Sequence, residues 1–388
     1  MLTFEPDPSH YQSCGALATC CEGAGSVHLA RHLPSGNLVA LKKFNMERAG
    51  DDAALVQHEV RLTRQLRHPH VLGLHAAFVA GPHVVAVLPL MAFGSCRDLL
   101  NAHFANGLPE AAVACVLSDA LLGLEYIHRR GIVHRAVRAS HILVSGSGRA
   151  CLSGLRYSCP LVENGRWQKA LHSFPQSTAR NLNWLSPEVL EQNLQGYNEK
   201  SDVYSLGVTA CELANGAIPF ADMPTTLMLT EKVRGCCPQL LDCSTVAECD
   251  DDGPGTNEGN GGSGSDAGLL HHGADTLNIR EGAGSGRIEC AEVVTEYAQR
   301  RFSDAFHQMT ELCLQRDPVQ RPAASQLLQH PFFKNARRTG SGTCSLPELL
   351  HPVMPLGDRH VATQDDLASM LAAERLSELD MEPDQWDF

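Results

Sequence analysis

The chain reads as an α+β protein, a β-rich part followed by a helical one. Three observations carry that reading. Residues 17–44 alternate apolar and polar side chains around a turn at Pro34-Ser35-Gly36, the period of half-buried strands. Residues 110–129 instead place Val113, Val116, Leu117, Leu121, Leu124 and Ile127 near the 3.6-residue spacing of a core-facing helix. Between residues 246 and 286 periodicity stops, and eleven of the 33 glycines fall there among Asp, Asn and Ser, which predicts a flexible insert in the helical part.

The 388 residues suffice for two or three domain-sized units, and 43% hydrophobic with 19% charged content is ordinary for a soluble globular protein. The net charge of −13 is unevenly placed: residues 244–290 and 358–388 each carry nine acidic and two basic side chains, so the remainder is near neutral. Acidity confined to an insert and a tail argues against nucleic acid or an anionic membrane as partner. The N-terminus lacks a basic region followed by an apolar run, and no apolar stretch reaches the roughly 18 residues of a membrane span. Fifteen cysteines, an odd number without a framework, read as free thiols in a reducing compartment, which implies the cytoplasm with the nucleus as a second setting. The closest cluster, Cys236, Cys237, Cys243 and Cys249 followed by His271 and His272, fits no usual zinc spacing, and no bound metal is expected.

In chain order, the strand pair of the β-rich part carries Gly25 and ends in Val39-Ala40-Leu41-Lys42. A helix-like segment, residues 53–66, carries Glu59, which either pairs with Lys42 or remains a surface charge. Residues 84–88 read as a buried strand that enters a connection at residues 89–93, where Pro89 has no N–H to give and Met91 keeps one. After the long helix come Val133-His134-Arg135-Ala136 and Ala139-Ser140-His141-Ile142-Leu143, then Leu152-Ser153-Gly154-Leu155-Arg156. Trp184-Leu185-Ser186-Pro187-Glu188, Gly196-Tyr197-Asn198 and residues 201–207 follow, with Asp202 placed to cap backbone amides; residues 317–322 supply an arginine for Glu188. From residue 336 the composition is linker-like. Residues 365–379 offer a short amphipathic stretch with Leu367, Met370 and Leu371, and the chain closes on Trp386-Asp387-Phe388.

These phrases, in this order, resemble a protein kinase over residues 17–334, and more narrowly the STRAD family of sterile-twenty-related kinase adaptors. The resemblance implies a bilobal protein-kinase fold over residues 11–335, with a first lobe at 11–88, a second at 94–335 and a flexible acidic, Gly-rich insert at about 245–290. An extension of residues 1–10 precedes it, and a linker with an acidic tail, 336–388, follows. Against the kinase pattern, Ala136 stands where an Asp would accept the substrate proton, and His141 and Gly154 stand at the two metal-ligand positions. Mg²⁺ wants oxygen donors, which neither residue supplies. Gly25 matches the third glycine of the phosphate loop, while Cys20 and Glu22 replace the first two; taken alone, this segment also reads as an ordinary hairpin.

What the family resemblance implies is a pseudokinase without catalytic residues that binds ATP without metal, through Gly25, Ala40, Lys42, Glu59, Pro89 and Met91. Its implied partners are a Ser/Thr kinase of the liver kinase B type, which it activates, and a helical-repeat scaffold of the calcium-binding-protein-thirty-nine type. Tyr157, Trp167 and Phe174 offer large apolar groups for the first partner, or else pack inside the second lobe. Trp386, Asp387 and Phe388 offer an aromatic anchor with negative charge for the second, or else fold back on the domain. A weak or unconventional Ser/Thr kinase is the alternative; against it, loss of a positioned base costs roughly 10²- to 10⁴-fold in rate. A third reading, a scaffold without nucleotide, follows if residues 20–22 close the pocket.

Overall fold

A computed structural model describes residues 4–20, 24–163, 165–173, 181–245, 297–334 and 345–356. Five antiparallel strands build the first lobe: β1 (Tyr11–Cys20), β2 (Gly25–His32), β3 (Leu38–Asn45), β4 (Ala76–Ala80) and β5 (His83–Pro89), in the order β1-β2-β3-β5-β4. β3 is central, and Val39, Ala40 and Leu41 are consecutively buried, as expected of a strand covered on both faces. The register sets Val27, Lys42 and Ala86 side by side across three strands, which fixes where the Lys42 side chain leaves the sheet. Helix α1 (Ala53–Gln65) buries Val56, Glu59 and Thr63, a stripe at helical spacing that turns Glu59 inward.

The second lobe opens with strand β6 (Gly94–Ser95) and helix α2 (Cys96–His103), started by a capping box between Ser95 and Asp98. Against the expectation that no stretch is apolar over a membrane's length, helix α3 (Glu110–His128) is long and apolar enough by composition, but its Val113, Leu117, Leu121, Leu124 and Ile127 are wholly buried in the core. Burial of each such Leu or Ile contributes about 1.5–3 kcal/mol. Strands β7 (Ile132–Val133), β8 (Ile142–Val144) and β9 (Ala150–Leu152) follow, with β8 between β6 and β9. β10 (Cys159–Pro160) pairs with β7, and β11 (Val162–Glu163) pairs with β12 (Arg166–Trp167).

Helix α4 (Lys200–Asn215) is buried from Ser201 to its end. It stops at Gly216, whose φ of 80° and contact with the Ala105 carbonyl both require the absence of a side chain. Helices α5 (Thr225–Arg234) and α6 (Asp304–Cys313) complete the lobe, with Phe306 and Met309 of α6 in the same core cluster as α3 and α4. The bidentate ion pair of Arg321 with Glu188, at 2.6 and 2.8 Å, ties the turn after α6 to the short helix Pro187–Leu190.

One reading from composition changes here. Within the stretch assigned to a linker, residues 345–356 form helix α7 (Leu346–Leu349) and a following strap, with Leu346, Leu350 and Val353 in the main core. Three prolines in twelve residues gave it the composition of a linker, but three apolar side chains suffice to anchor it. Tyr157, offered either to a partner or to packing inside the second lobe, is buried at 3% exposed.

Candidate functional site

The loop after β7 is held by backbone. Asp202, in the first turn of α4, accepts the amide N–H of His134 and of Arg135, each at 2.8 Å. Those bonds and the contact of His134 Nε2 with the Ser153 carbonyl at 2.9 Å fasten the loop to its neighbours. Arg135, at a φ of 61°, donates from Nε to the Tyr157 carbonyl at 2.5 Å and from its guanidinium to the Tyr197 hydroxyl at 3.0 Å. A residue in this strained region persists only where its surroundings over-determine it, as these bonds do.

Ala136 is buried and offers only a methyl group, which can take no proton. Its carbonyl lies 2.7 Å from Nδ1 of His141, so that nitrogen carries the proton and donates; Nε2 faces the Arg138 guanidinium at 3.4 Å. Burial, reinforced by the Arg138 charge, holds the His141 pKa well below the usual histidine value, and the ring is neutral. Gly154 has a φ of 78°, and a Cβ on it would stand 2.7 Å from both Cγ and Nδ1 of that ring. The His141 ring therefore occupies the space of the side chain that Gly154 lacks. With Nδ1 committed to a carbonyl and no oxygen on Gly154, the two positions do not fit Mg²⁺.

On the opposite wall, Lys42 Nζ meets Glu59 Oε1 at 2.8 Å. The pair opens on a cavity of about 710 Å³ between the lobes, within the roughly 300–1,000 Å³ of small-molecule sites. Ala40, Lys42, Glu59, Pro89, Met91, His141 and Gly154 all line this one cavity. Gly25 stays behind its roof: a Cβ there would sit 2.7 Å from Cys20 Sγ, which does line the cavity, and 3.3 Å from Phe44. The lobes are also clasped where Arg156 reaches Asp52 ahead of α1 at 3.2 Å and His58 of α1 meets Ser158 at 3.0 Å.

Trp167 lies away from the cavity on the β11–β12 hairpin, 61% exposed. Phe174, Trp386, Asp387 and Phe388 lie outside the described residues. Sequence reasoning missed Arg138, Arg156 as a clasp, and the strap residues Val353, Met354 and Leu356 on the cavity wall. Arg138 sits three residues before His141 and could have been found by asking what neutralises that ring.

The family described as protein kinase domain matches residues 22–333. STE20-related kinase adapter protein alpha of Mus musculus is 40% identical over the whole chain, which covers 86% of that protein; the Homo sapiens protein of the same name is 39% identical with the same coverage. STE20-related kinase adapter protein beta of Homo sapiens is 38% identical over 89% of this chain and 79% of its own length. With motifs, fold and full-length identity in agreement, the chain belongs to the STE20-related kinase adapter family, on a protein-kinase fold.

Proposed function

We propose that this protein is a pseudokinase adaptor that binds and allosterically activates a Ser/Thr kinase of the liver kinase B type, in a complex with a helical-repeat scaffold. It holds ATP without metal and transfers no phosphate. The observation that carries the reading is a closed Lys42–Glu59 pair facing an alanine, a neutral histidine and a glycine at the base and metal positions. A domain in this shape keeps what orients a nucleotide and lacks what would move its γ-phosphate. Such a domain acts on another kinase by binding its active conformation more tightly than its inactive one. The names of the relatives, kinase adapters, support the same direction. The cytoplasm, with the nucleus as second compartment, is the setting proposed.

The retained Lys42–Glu59 bond favours one competing reading, a weak Ser/Thr kinase. Radiolabelled ATP separates them. Incorporation into the protein or a generic substrate should not exceed a no-enzyme control, and ATP with chelator should raise the melting temperature. Incorporation that vanishes in Lys42→Met would establish the kinase instead. In the same reading, Trp386, Asp387 and Phe388 anchor the scaffold, and replacing either aromatic by Ala weakens a tail peptide's binding roughly 30- to 1,000-fold. Unchanged affinity measured by calorimetry removes that assignment.

A further inference from the structure

Residues 345–356 lie beyond the kinase-domain match at 22–333, yet they reach its cleft. Their path is fixed at three places. Leu350 is wholly buried and Leu346 is 5% exposed, which seats α7 in the second-lobe core. Pro347 rests against Gly148 in the β8–β9 turn, where φ is 78° and any Cβ would collide with the proline ring. Leu356 then donates its N–H to the Ala92 carbonyl at 2.8 Å, one residue past Met91 in the connection between the lobes. Between the last two anchors, Val353 and Met354 join Leu356 on the cavity wall. Met354 is 56% exposed at the rim, a flexible apolar group that a flat ring laid in the cleft would cover.

We infer that residues 345–356 form a fixed outer wall of the nucleotide site, with Met354 and Leu356 against the base of a bound purine nucleotide. The wall is bonded to the connection at Ala92, beside Met91, where the nucleotide reading puts the base, whereas that reading gives the phosphates to Lys42. The inference rests on the reading of the cavity as a nucleotide site. It adds a base-recognition element that the kinase domain itself does not supply.

Calorimetry on the full chain tests it, with chelator present and with ATP, adenosine and inorganic tripolyphosphate as probes. Met354→Ala removes an exposed side chain. Leu356→Pro separately removes the N–H that reaches Ala92. Each should weaken ATP and adenosine by the same factor, about three- to tenfold, and leave tripolyphosphate binding as it was. Unchanged ATP and adenosine affinity in both variants, with an unchanged melting temperature, overturns the wall. Equal weakening of all three probes overturns it as well, since it would report a general loosening of the fold. A parent chain that binds neither ATP nor adenosine instead overturns the nucleotide reading on which the inference stands.

Discussion

The ring of His141 begins 2.7 Å from the point where a side chain on Gly154 would begin. The ring is a filler and Gly154 a vacancy, and the two fit each other. Gly154→Ala should therefore cost about 2–4 kcal/mol, from a collision with a ring held by the Ala136 carbonyl and from a positive φ. Adding His141→Ala should recover part of that loss, a coupling that a urea denaturation cycle would measure. Additive losses would show that the ring yields freely.

Lys42 should dominate nucleotide affinity. Its Nζ is held by Glu59 at 2.8 Å in a partly buried pair, so Lys42→Met removes the cation and Glu59→Gln releases it. A loss of about tenfold or more in ATP affinity is expected for Lys42→Met and a smaller one for Glu59→Gln, read by thermal shift in chelator.

The Arg321–Glu188 pair is buried on both sides and bidentate. Arg321→Ala would leave the Glu188 carboxylate without its countercharge, at a cost of about 3–5 kcal/mol. That is a large part of the stability of an ordinary domain. Chemical denaturation should show an early transition or no folded baseline, while Glu191→Ala, beside it at a half-exposed pair, should change little.

Stability should fall as pH drops below about 6.5. Burial lowers the pKa of both His141 and His134 in the folded chain, so the unfolded chain takes up protons first and acid favours unfolding. Above the ordinary histidine pKa this penalty is absent. Each such group adds a slope of roughly 1.4 kcal/mol per pH unit until its own folded pKa is reached. His70 runs the other way, because its bond to Asp119 raises its pKa; its contribution is full in acid and lost as pH rises through that raised value. Denaturation of the parent and of His141→Asn from pH 7 to 5 should show a shallower slope in the variant.

Trp167 should matter for partner binding and not for folding. Its ring is 61% exposed on a two-residue hairpin strand, so Trp167→Ala should leave the melting temperature within about a degree, consistent with surface changes of less than 0.5 kcal/mol. Affinity for the partner kinase should fall by at least about tenfold if the hairpin docks. Equal affinity would place the interface elsewhere.

Much of this was legible wherever two complementary groups sit in separate motifs of fixed shape. Lys42 on a strand asks for Glu59 on the next helix, Glu188 asks for Arg321, and Asp202 at a helix start faces the backbone of His134 and Arg135. The first two pairs form as read, and Asp202, read only as a cap for backbone amides, takes those of His134 and Arg135. What stayed hidden depends on volume and on distance along the chain. That His141 fills the gap left at Gly154 is a statement about space, which no spacing of residue types encodes. The clasp of Arg156 on Asp52 joins residues 104 apart with no shared pattern. The strap escaped because Leu346, Leu350 and Val353, although spaced as on one helix face, are interrupted by three prolines that give the segment a linker's composition.

That strap also moves the boundary of what unfolds together. A chain ended at Lys334, just past the close of the kinase-domain match, would lose the Leu350 side chain from a wholly buried seat and uncover the apolar surface beneath Leu346 and Val353. At about 1.5–3 kcal/mol for each buried side chain, the deficit rivals the 5–15 kcal/mol that holds a domain together. The smallest piece that melts in one cooperative step is then longer than the domain a sequence match outlines. The shortened piece should melt early, bind an apolar dye and aggregate, and a chain carried through Leu356 should do none of these.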